Sequence, residues 1–580
     1  MRGIPASPGI SIGRVHLLIS EDVKITPRKI APSEIPGERI RLKQALMETR
    51  AAIERSRDRA LALAGIAVGK IFDAHLSILE DPLFEKQVLD RVESEQFSVD
   101  YIVNDVMGQA MEMLRKQDGE MFRERAADIR DVRNRLLRFL HGKGDVMPDS
   151  PSEPVILIAP DLSPTDTLHI DRQLIRGIAA DTGGLTSHTA ILARSLDIPA
   201  VVGLGNLSTW VKNGDPIVLN GNSGKVIVNP TPESLVEYHG KRDRYVTFLT
   251  SLENLRELPA TTTDGHEVKL WGNIELPFEA SSVLEHGGTG VGLFRSEYLF
   301  LTRQTVPTEN EQFDTYDRAA EILAPRPVVI RTFDLGGDKL HGTINLKEEK
   351  NPFLGYRAIR VSLSRRDLFR SQLRAIVRAS TRWNVRIMFP FISGLEELRL
   401  AKAILAEACA ELKHERIPHD ERIKVGIMVE LPSSVVIADK LAAECDFLSI
   451  GTNDLIQYTL AADRGNDMVA SYYKSFHPAI MRMIQMTVKA SHRVGKPVAI
   501  CGELGGNPVA APVLVGLGID EISTNSTSIP EIKKIIRSLS FADCQRIAHR
   551  AVRLDTAEDV SKYLSRELKS RLADLPIWFS

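Results

Sequence analysis

The spacing of apolar and polar positions divides the chain into segments of different texture. From Ser33 to about Gly142 proline is nearly absent, and apolar residues recur mostly at steps of three and four. Antiparallel helices packed against one another require this spacing, since each must present an apolar stripe to its neighbours. We therefore expect residues 21–142 to form a helical domain.

Short β-like runs lie on both sides of the helical block. Residues 1–20 are punctuated by proline and glycine, and after Pro154 the runs Val155–Ala159, Ile217–Leu219 and Val226–Val228 are rich in β-branched residues. Because the texture is shared, residues 1–20 and 143–230 are predicted to form one α/β domain, with the helical block inserted into it. Residues 231–258 read as a charged linker helix.

Beyond the linker, strand-like and helix-like segments alternate. Eight strand-like runs can be recognised: Val268–Glu275, Gly290–Arg295, Pro327–Asp334, Val385–Ile392, Ile423–Leu431, Phe447–Asp454, Pro497–Leu504 and Glu521–Asn525. Eight such units predict a (β/α)8 TIM barrel over residues 259–580, with an open doubly wound sheet as the alternative. The fold class is thus multidomain α/β, with a helical insertion, a smaller α/β domain and a C-terminal barrel.

Most of the barrel runs begin with apolar residues and end with polar ones. The polar residues at their ends are Asn273, Glu275, Arg295, Arg331, Asp334, Glu430, Asn453, Asp454, Cys501, Glu503 and Ser523. The carboxyl ends of barrel strands meet at one mouth, which is where barrel enzymes place their active sites. We therefore expect a functional site at this face.

The side chains at the barrel face indicate what the site binds. Arg295, Arg331 and Arg464 offer planar donor forks for phosphate or carboxylate oxygens, which favours a compact anion. Glu430 and Asp454 supply hard oxygen ligands of the kind that suit Mg²⁺.

Cys501 adds a titratable group to this face. It lies at a strand end beside a glycine, where a thiol could give or take a proton. A buried, inert cysteine is the alternative interpretation.

A second candidate site surrounds His188. Two glycines, Thr186 and Ser187 precede an apolar-periodic stretch, which predicts a tight turn leading into a helix with His188 at its N-terminus. Free backbone N–H groups and the helix dipole favour an anion there and disfavour imidazolium. A neutral imidazole beside an anion site is a candidate phosphoryl acceptor, whereas the alternative is an ordinary capped helix.

Composition and charge indicate which kinds of partner and which cellular compartment to expect for this chain. The formal net charge is −2 and no basic face is indicated, so nucleic acid is not an expected partner. The N-terminus lacks a signal-peptide core, and no apolar run reaches the length of a membrane span. Four isolated cysteines without zinc-ligand spacing fit a reducing compartment. We expect a cytoplasmic protein with no membrane insertion.

Several motifs together carry a family resemblance. They are Gly183–Ser195, Gly292–Glu297, Asp334–Lys339, Asn351–Arg357 and Leu448–Thr459 followed by Asp463–Gly465. The chain resembles the phosphoenolpyruvate-utilising enzymes, and among them the Enzyme I family of the bacterial phosphoenolpyruvate:sugar phosphotransferase system. The resemblance runs essentially end to end and includes Ala6–Ile10 and Phe122–Asp128.

The resemblance implies a specific activity. Phosphoenolpyruvate and Mg²⁺ would bind at the barrel mouth, and His188 would take the phosphoryl group on Nε2 and pass it to a histidine of the carrier protein HPr. The residues that the resemblance assigns to phosphoenolpyruvate are Arg295, Arg331, Asn453, Asp454 and Arg464. It further assigns Mg²⁺ to Glu430 and Asp454, protonation of the enolate to Cys501, and orientation of the His188 ring to Thr167. A homodimer through the barrels and a swivelling His188 domain are also implied.

Two alternatives and some departures bear on this interpretation. Relatives that use ATP, such as pyruvate phosphate dikinase and phosphoenolpyruvate synthase, need an ATP-binding domain before the His188 domain, whereas this chain has a helical block without a glycine-rich loop there. The second alternative, a non-catalytic regulator with the same fold, is disfavoured because every catalytic position of the family is filled in this chain.

Ser296, Leu431 and Ile456 stand where the family usually carries threonine, and we expect them to be tolerated.

The helices expected to face the carrier depart further from the family. Ala64–Lys70, ahead of His75, is apolar and weakly basic where the family usually carries acidic residues. Loss of acidic residues removes attraction for a basic carrier surface. This predicts that HPr is held by apolar contacts near Leu76 and Leu79, with an affinity that depends weakly on salt.

Overall fold

The computed structural model describes residues 1–18, 25–64, 66–115, 120–142, 151, 153–162, 174–184, 187–196, 198–301, 306–335, 351–464, 466 and 468–572. Thr167 lies outside the described residues, and of His188 only the backbone is described. The chain forms two compact units, one running from Met1 to Thr247 and the other beginning at Phe248.

The first unit contains a seven-stranded sheet and a helical block. Its strands are β1 (Ile4–Ser7), β2 (Ile10–Leu17), β3 (Val155–Ala159), β4 (Ile175–Ala180), β5 (Ala200–Val202), β6 (Pro216–Asn220) and β7 (Lys225–Val228). Its helices are α1 (Ile35–Ala64), α2 (Ile66–Leu79), α3 (Pro82–Glu95), α4 (Val99–Arg115), α5 (Glu120–Leu140), α6 (His188–Ser195) and α7 (Leu207–Trp210). Helix α8 (Pro232–Glu253) contains the boundary between the two units.

The sheet joins residues from both sides of the helical block. Its strand order is β1-β5-β4-β3-β2-β6-β7, and β2 pairs in parallel with β3, with Leu17 opposite Ile158. Because β2 precedes α1–α5 and β3 follows them, the helical block lies in the chain between two neighbouring strands of the sheet.

The helical block has its own apolar core. Leu42, Ile53, Ile102 and Leu136 are fully buried in it, and Leu192 of α6 packs against the same cluster. Leu192 and His188 are four residues apart on α6, so the helix that begins at His188 is held against the helical block by apolar burial.

The prediction of apolar HPr contacts near Leu76 and Leu79 is wrong for these two side chains themselves. Both side chains belong to the helical core and are only 8% and 7% exposed. Apolar spacing identifies the buried stripe of a helix but not an exposed one, and these two leucines lie on the stripe that faces the other helices. On the same face, His75 is buried with Nε2 3.3 Å from Asp128 Oδ1 and Nδ1 3.5 Å from Asp131 Oδ2.

The second unit is a barrel surrounded by helices. Its strands are β8 (Lys269–Ile274), β9 (Val291–Arg295), β10 (Val328–Arg331), β11 (Val385–Phe389), β12 (Lys424–Val429), β13 (Phe447–Ile450), β14 (Val498–Ile500) and β15 (Glu521–Thr524). Its helices are α9 (Glu279–Glu285), α10 (Tyr298–Leu301), α11 (Glu309–Leu323), α12 (Ile359–Ser364), α13 (Arg366–Arg378), α14 (Leu395–His414), α15 (Pro432–Val436), α16 (Ala438–Ala443), α17 (Thr452–Leu460), α18 (Pro478–Arg493), α19 (Ala511–Leu517), α20 (Ile529–Arg537), α21 (Phe541–Ala551) and α22 (Ala557–Arg571).

The eight strands are parallel and form a closed barrel. Strand β15 returns to β8, with Ile522 opposite Leu270. Every residue of β10, β13 and β15 is buried, as expected for parallel strands packed on both faces. This confirms the TIM barrel and excludes the open sheet, and it places the carboxyl ends of the strands at a single mouth.

A buried lysine ties the start of the second unit to helix α20. Lys533 is 2% exposed, and its Nζ donates to the carbonyl oxygens of Arg256 at 2.7 Å and Gly287 at 2.8 Å. One of these carbonyls lies between α8 and the barrel and the other follows α9, so Lys533 fixes the connection after α8 to the barrel wall.

No helix in the described part of the chain combines the length and the apolar character that crossing a membrane demands.

Candidate active site

The helix that carries His188 begins at that residue. Ser187 precedes it as N-cap, and its Oγ accepts a hydrogen bond from Ala190 N at 3.4 Å and donates to Gly184 O at 2.8 Å. Gly183 adopts a φ of +101°, a conformation that favours glycine. The predicted turn and helix start are confirmed, and they place the backbone of His188 in the first turn, where helix N–H groups are unpaired.

Three carboxylates meet at the mouth of the barrel. Asp334 follows β10, Glu430 follows β12 and Asp454 lies in the first turn of α17. One oxygen of each lies within 4.8 Å of the others. Glu430 and Asp454 were predicted as metal ligands, and the structure adds Asp334 as a third oxygen donor beside them.

Glu430 is held in a way that fits a cation. Its side chain is fully buried, Oε1 accepts a hydrogen bond from Phe391 N at 2.6 Å, and Oε2 has no hydrogen-bond partner among the described residues. Burial, followed by the charges of Asp334 and Asp454, raises the pKa of Glu430 well above its ordinary value. A buried carboxylate oxygen without a partner costs free energy, which a bound divalent cation would recover.

Two arginines surround the carboxylates. Arg331 Nη1 lies 2.7 Å from Asp334 Oδ2, and its Nη2 donates to Glu297 Oε1 at 3.0 Å. Arg357 Nη2 donates to Asp334 Oδ1 at 3.0 Å. Asp334 therefore bridges the two guanidinium groups. The Nε atoms of Arg331 and Arg357 are buried and have no hydrogen-bond partner in the part of the chain described, so both arginines retain donor capacity for a ligand.

Arg357 and Glu297 were not among the predicted site residues. Glu297 lies two residues after the end of β9, and Arg357 lies between β10 and α12, so a rule based on strand ends passes over both. Asn351–Arg357 is one of the motifs that carry the family resemblance, and this motif was the available signal for Arg357.

Cys501 is buried close to these charges. The residue is 4% exposed. Ser449 Oγ donates a hydrogen bond to Cys501 Sγ at 3.1 Å, and Sγ donates one to the carbonyl oxygen of Ile450 at 3.7 Å. Burial raises the pKa of the Cys501 thiol to about 11. The charge of Arg331 lowers this pKa and that of Glu430 raises it. The group is therefore a protonated thiol at neutral pH, which is the state that a proton donor requires.

The remaining predicted side chains lie around the same mouth. Arg295 donates through Nη1 to Glu275 Oε1 at 2.8 Å and is partly exposed. Asn453 Nδ2 donates to Glu503 Oε1 at 3.3 Å, and its Oδ1 accepts from Glu503 N at 3.0 Å. These pairs join neighbouring strand ends and leave the Arg295 guanidinium accessible.

Arg464 lies at the outer edge of the site. It is exposed, and its backbone N donates to Gln457 Oε1 at 3.3 Å. Its charge lowers the pKa of Tyr473, although burial dominates and raises it to about 12. The Tyr473 hydroxyl donates to Asn453 O at 3.2 Å, so Arg464 and Asn453 lie on the same side of the mouth.

The three departures from the family pattern are packing positions. Ser296 Oγ accepts a hydrogen bond from Gln372 Nε2 at 3.0 Å, and Leu431 and Ile456 are buried.

Arginine forks, clustered carboxylates and a buried thiol at one barrel mouth are the groups typical of barrel enzymes that act on compact anions. Comparison with known families agrees. Residues 2–125 match the N-terminal part of the PEP-utilising enzymes, residues 151–224 their mobile domain and residues 250–541 their PEP-binding domain.

Curated relatives extend this similarity over the whole chain. The phosphoenolpyruvate-protein phosphotransferase of Priestia megaterium is 43% identical over 97% of this chain and 98% of its own length. Those of Geobacillus stearothermophilus (42% identical, covering 98% of each chain) and Staphylococcus aureus (40%, covering 98% and 99%) are similar. A solved N-terminal fragment of Enzyme I is 40% identical over 42% of this chain and 99% of its own, with a TM-score of 0.36. The chain belongs to the phosphoenolpyruvate-protein phosphotransferase family of transferases.

Proposed function

We propose that this chain transfers the phosphoryl group of phosphoenolpyruvate, by way of a phosphohistidine at His188, to a histidine of the carrier HPr, and releases pyruvate. This is the first step of the bacterial phosphotransferase system. The observation that carries the proposal is the barrel mouth, where Arg331 and Arg357 converge on the carboxylates of Asp334, Glu430 and Asp454. Family membership over the full chain supports it.

Phosphoenolpyruvate presents a phosphate and a carboxylate, and the site offers donors for both. Arg295, Arg331 and Arg464, with Asn453, are the predicted donors, and Arg357 is a further one. Planar guanidinium forks bind such anions through paired hydrogen bonds.

The carboxylates Glu430 and Asp454 are proposed to hold Mg²⁺, with Asp334 adjacent. The unpartnered Oε2 of Glu430 supports this assignment. When bound, the cation neutralises charge on the phosphoryl oxygens and on the enolate that leaves. The arginines stabilise the same charge, because phosphoryl transfer depends on positioning and charge neutralisation more than on covalent catalysis.

The chemical steps assign one role to each remaining residue. Neutral His188 attacks phosphorus through Nε2, a P–N bond forms, the P–O bond to the enol oxygen breaks, and the electron pair stays on the enolate. Cys501 then gives its thiol proton to the methylene carbon of the enolate, which yields pyruvate, and the thiolate regains a proton from solvent. The phosphoryl group next moves from His188 to the histidine of HPr, which docks on the helical block α1–α5.

Because His188 and the barrel belong to different units, this cycle requires that His188 meet both phosphoenolpyruvate and HPr in turn. Helix α8 contains the boundary between the units and is the proposed linker. We place the protein in the cytoplasm, where both partners would be available, and propose that it forms a homodimer through the barrels, as the family resemblance implies. Sedimentation with and without Mg²⁺ and phosphoenolpyruvate tests the dimer, and a protein that stays monomeric at saturation contradicts it.

The central experiment uses phosphoenolpyruvate labelled in the phosphoryl group. The full chain with Mg²⁺ is expected to acquire acid-labile label, to release pyruvate and to pass the label to an HPr-type protein. His188→Ala is expected to acquire no label while binding phosphoenolpyruvate at the barrel nearly as well as the parent. Label retained by the variant, or no pyruvate from the parent, would overturn the proposal.

A further inference from the structure

The hydroxyl of Tyr458 lies between two groups of the barrel mouth. It accepts a hydrogen bond from Arg357 Nη1 at 2.8 Å and donates one to the carbonyl oxygen of Phe353 at 2.6 Å. Tyr458 belongs to α17, the helix that also carries Asp454, whereas Phe353 lies in the 3-10 turn Pro352–Leu354 of the segment leading to Arg357. A single oxygen therefore connects the segment of the arginine to the helix of the carboxylate.

The direction of both hydrogen bonds is fixed by chemistry. A guanidinium group has only donors and a carbonyl oxygen has only acceptor sites, so the one hydroxyl proton must point to Phe353 and a lone pair must face Arg357. Burial raises the pKa of Tyr458 to about 12, which keeps the hydroxyl neutral. Its ring also packs edge-on against Phe391, with centroids 5.5 Å apart. The hydroxyl has no freedom to rotate away from the arginine without losing one of its partners.

The position of the Arg357 guanidinium determines which carboxylate it pairs with. Its Nη2 is bonded to Asp334 Oδ1 at 3.0 Å, whereas its Nη1 lies 3.6 Å from Asp454 Oδ1. The guanidinium also rests over the ring of Phe391, 4.8 Å from its centroid. Without the Tyr458 hydroxyl, Nη1 would be free to approach Asp454 Oδ1, which is 3.6 Å away. A tighter pair of Arg357 and Asp454 would take a carboxylate away from the cation and turn the arginine away from the ligand.

We infer that Tyr458 is a positioning residue, whose hydroxyl aims Arg357 at the phosphate or carboxylate of the substrate and holds it off Asp454. This inference rests on the proposed function for its substrate. It assigns Tyr458 no contact with phosphoenolpyruvate, since the hydroxyl already has both of its partners.

The test removes one oxygen. Tyr458→Phe keeps the ring and its contact with Phe391, and we expect the KM for phosphoenolpyruvate to rise about tenfold while kcat changes less than about twofold, because a hydrogen bond to a charged group is lost from the binding machinery. Phosphoglycolate, a stable phosphate and carboxylate, should bind more weakly by a similar factor in calorimetry with Mg²⁺. The matched control is Tyr472→Phe, a hydroxyl removed from a tyrosine that is 67% exposed, and it should change neither constant.

A second background shows whether Tyr458 acts through Arg357. In Arg357→Lys the planar fork is absent, so adding Tyr458→Phe should change the phosphoglycolate affinity less than about twofold, since the two effects are coupled. An unchanged affinity in Tyr458→Phe alone, or the full loss repeated in the Arg357→Lys background, would overturn the inference. A parent protein that forms no pyruvate would defeat the proposed function instead, and the phosphoglycolate measurements would still decide the role of Tyr458.

Discussion

The backbone amide of Phe391 donates a hydrogen bond to Oε1 of Glu430 at 2.6 Å. Phe391 itself has a φ of +59°. A bulky residue in the left-handed region costs about 1–2 kcal/mol, so the surrounding fold must hold it there. The conformation delivers a donor to a carboxylate that is otherwise unsupported, and it places the Phe391 ring beneath Arg357. One strained residue thus fixes a proposed metal ligand and a proposed anion ligand together.

Glu430→Gln is expected to make the ligand-free protein more stable, by about 1 kcal/mol or more, while abolishing the stabilisation that Mg²⁺ with phosphoglycolate confers. The pKa of Glu430 is raised in the folded state, so between the unfolded and the folded pKa the folded protein holds a proton that the unfolded chain has released. Stability from this group is therefore present at low pH and lost as the pH rises through the folded pKa. The glutamine amide can donate to the neighbouring carboxylates of Asp334 and Asp454.

Urea unfolding at neutral pH, with and without the two ligands, measures both effects. A variant that is less stable than the parent in metal-free buffer would show that the charge of Glu430 is not destabilising.

Cys501→Ser should slow pyruvate formation by about a hundredfold, because a hydroxyl is a far weaker acid than a thiol. The pKa of about 11 also predicts that Cys501 contributes no alkaline limb to the pH–rate profile until the pH approaches that value, since the thiol keeps its proton below it. Steady-state pyruvate release across the alkaline range tests both. Cys409→Ser, on helix α14, is the control. Parent-like turnover of Cys501→Ser would make the cysteine structural.

Two identical substitutions should have opposite effects in the first unit. Gly183→Ala places a Cβ at a φ of +101° and 2.9 Å from Ser187 Oγ, so it should destabilise the turn before His188 by about 1–2 kcal/mol and slow phosphorylation of His188. Gly240→Ala lies within α8, where an added Cβ meets no atom within 4 Å, and should stabilise by about 1 kcal/mol. Denaturant unfolding compares the pair, and equal effects of one sign would refute the comparison.

Lys533→Met should destabilise the second unit by about 2–4 kcal/mol, because the carbonyls of Arg256 and Gly287 would each lose a buried donor. Lys562→Met, whose side chain is 73% exposed on α22, should change stability by less than about 0.5 kcal/mol. Thermal unfolding of the two variants is the measurement. If the two melt together, the carbonyls of Arg256 and Gly287 are satisfied without Lys533.

The barrel could be predicted from the sequence because most of its strand-like runs begin with apolar residues and have polar side chains at or just after their ends. That pattern found Glu430, Cys501 and Asp454, which lie at or just beyond strand ends. The start of α6 was equally readable, since Gly183 and Ser187 are residues that a turn and an N-cap require.

The sequence pattern could not predict which charged side chains pair with one another in the site. That Asp334 bridges Arg331 and Arg357 depends on how three separate segments approach one another, and no local rule encodes this. The error at Leu76 and Leu79 has the same origin, since an apolar stripe shows that a helix face is covered but not by which partner. The proposed role of Tyr458 could not be predicted from the sequence either, because a tyrosine within a helix is usually a packing residue.

The insertion between β2 and β3 also imposes an order on synthesis. Gly9 N donates to Asn222 Oδ1 across 213 residues, so the first two strands emerge long before their partners exist. Helices α1–α5 pack mainly against one another, within about 105 residues of chain, so most of their core can form before β3 has been made. Contacts of short sequence separation form quickly, and those that close long loops form late. The helical block is therefore expected to be the nascent chain's first stable structure, and the sheet behind His188 is completed only after residue 228 has left the ribosome.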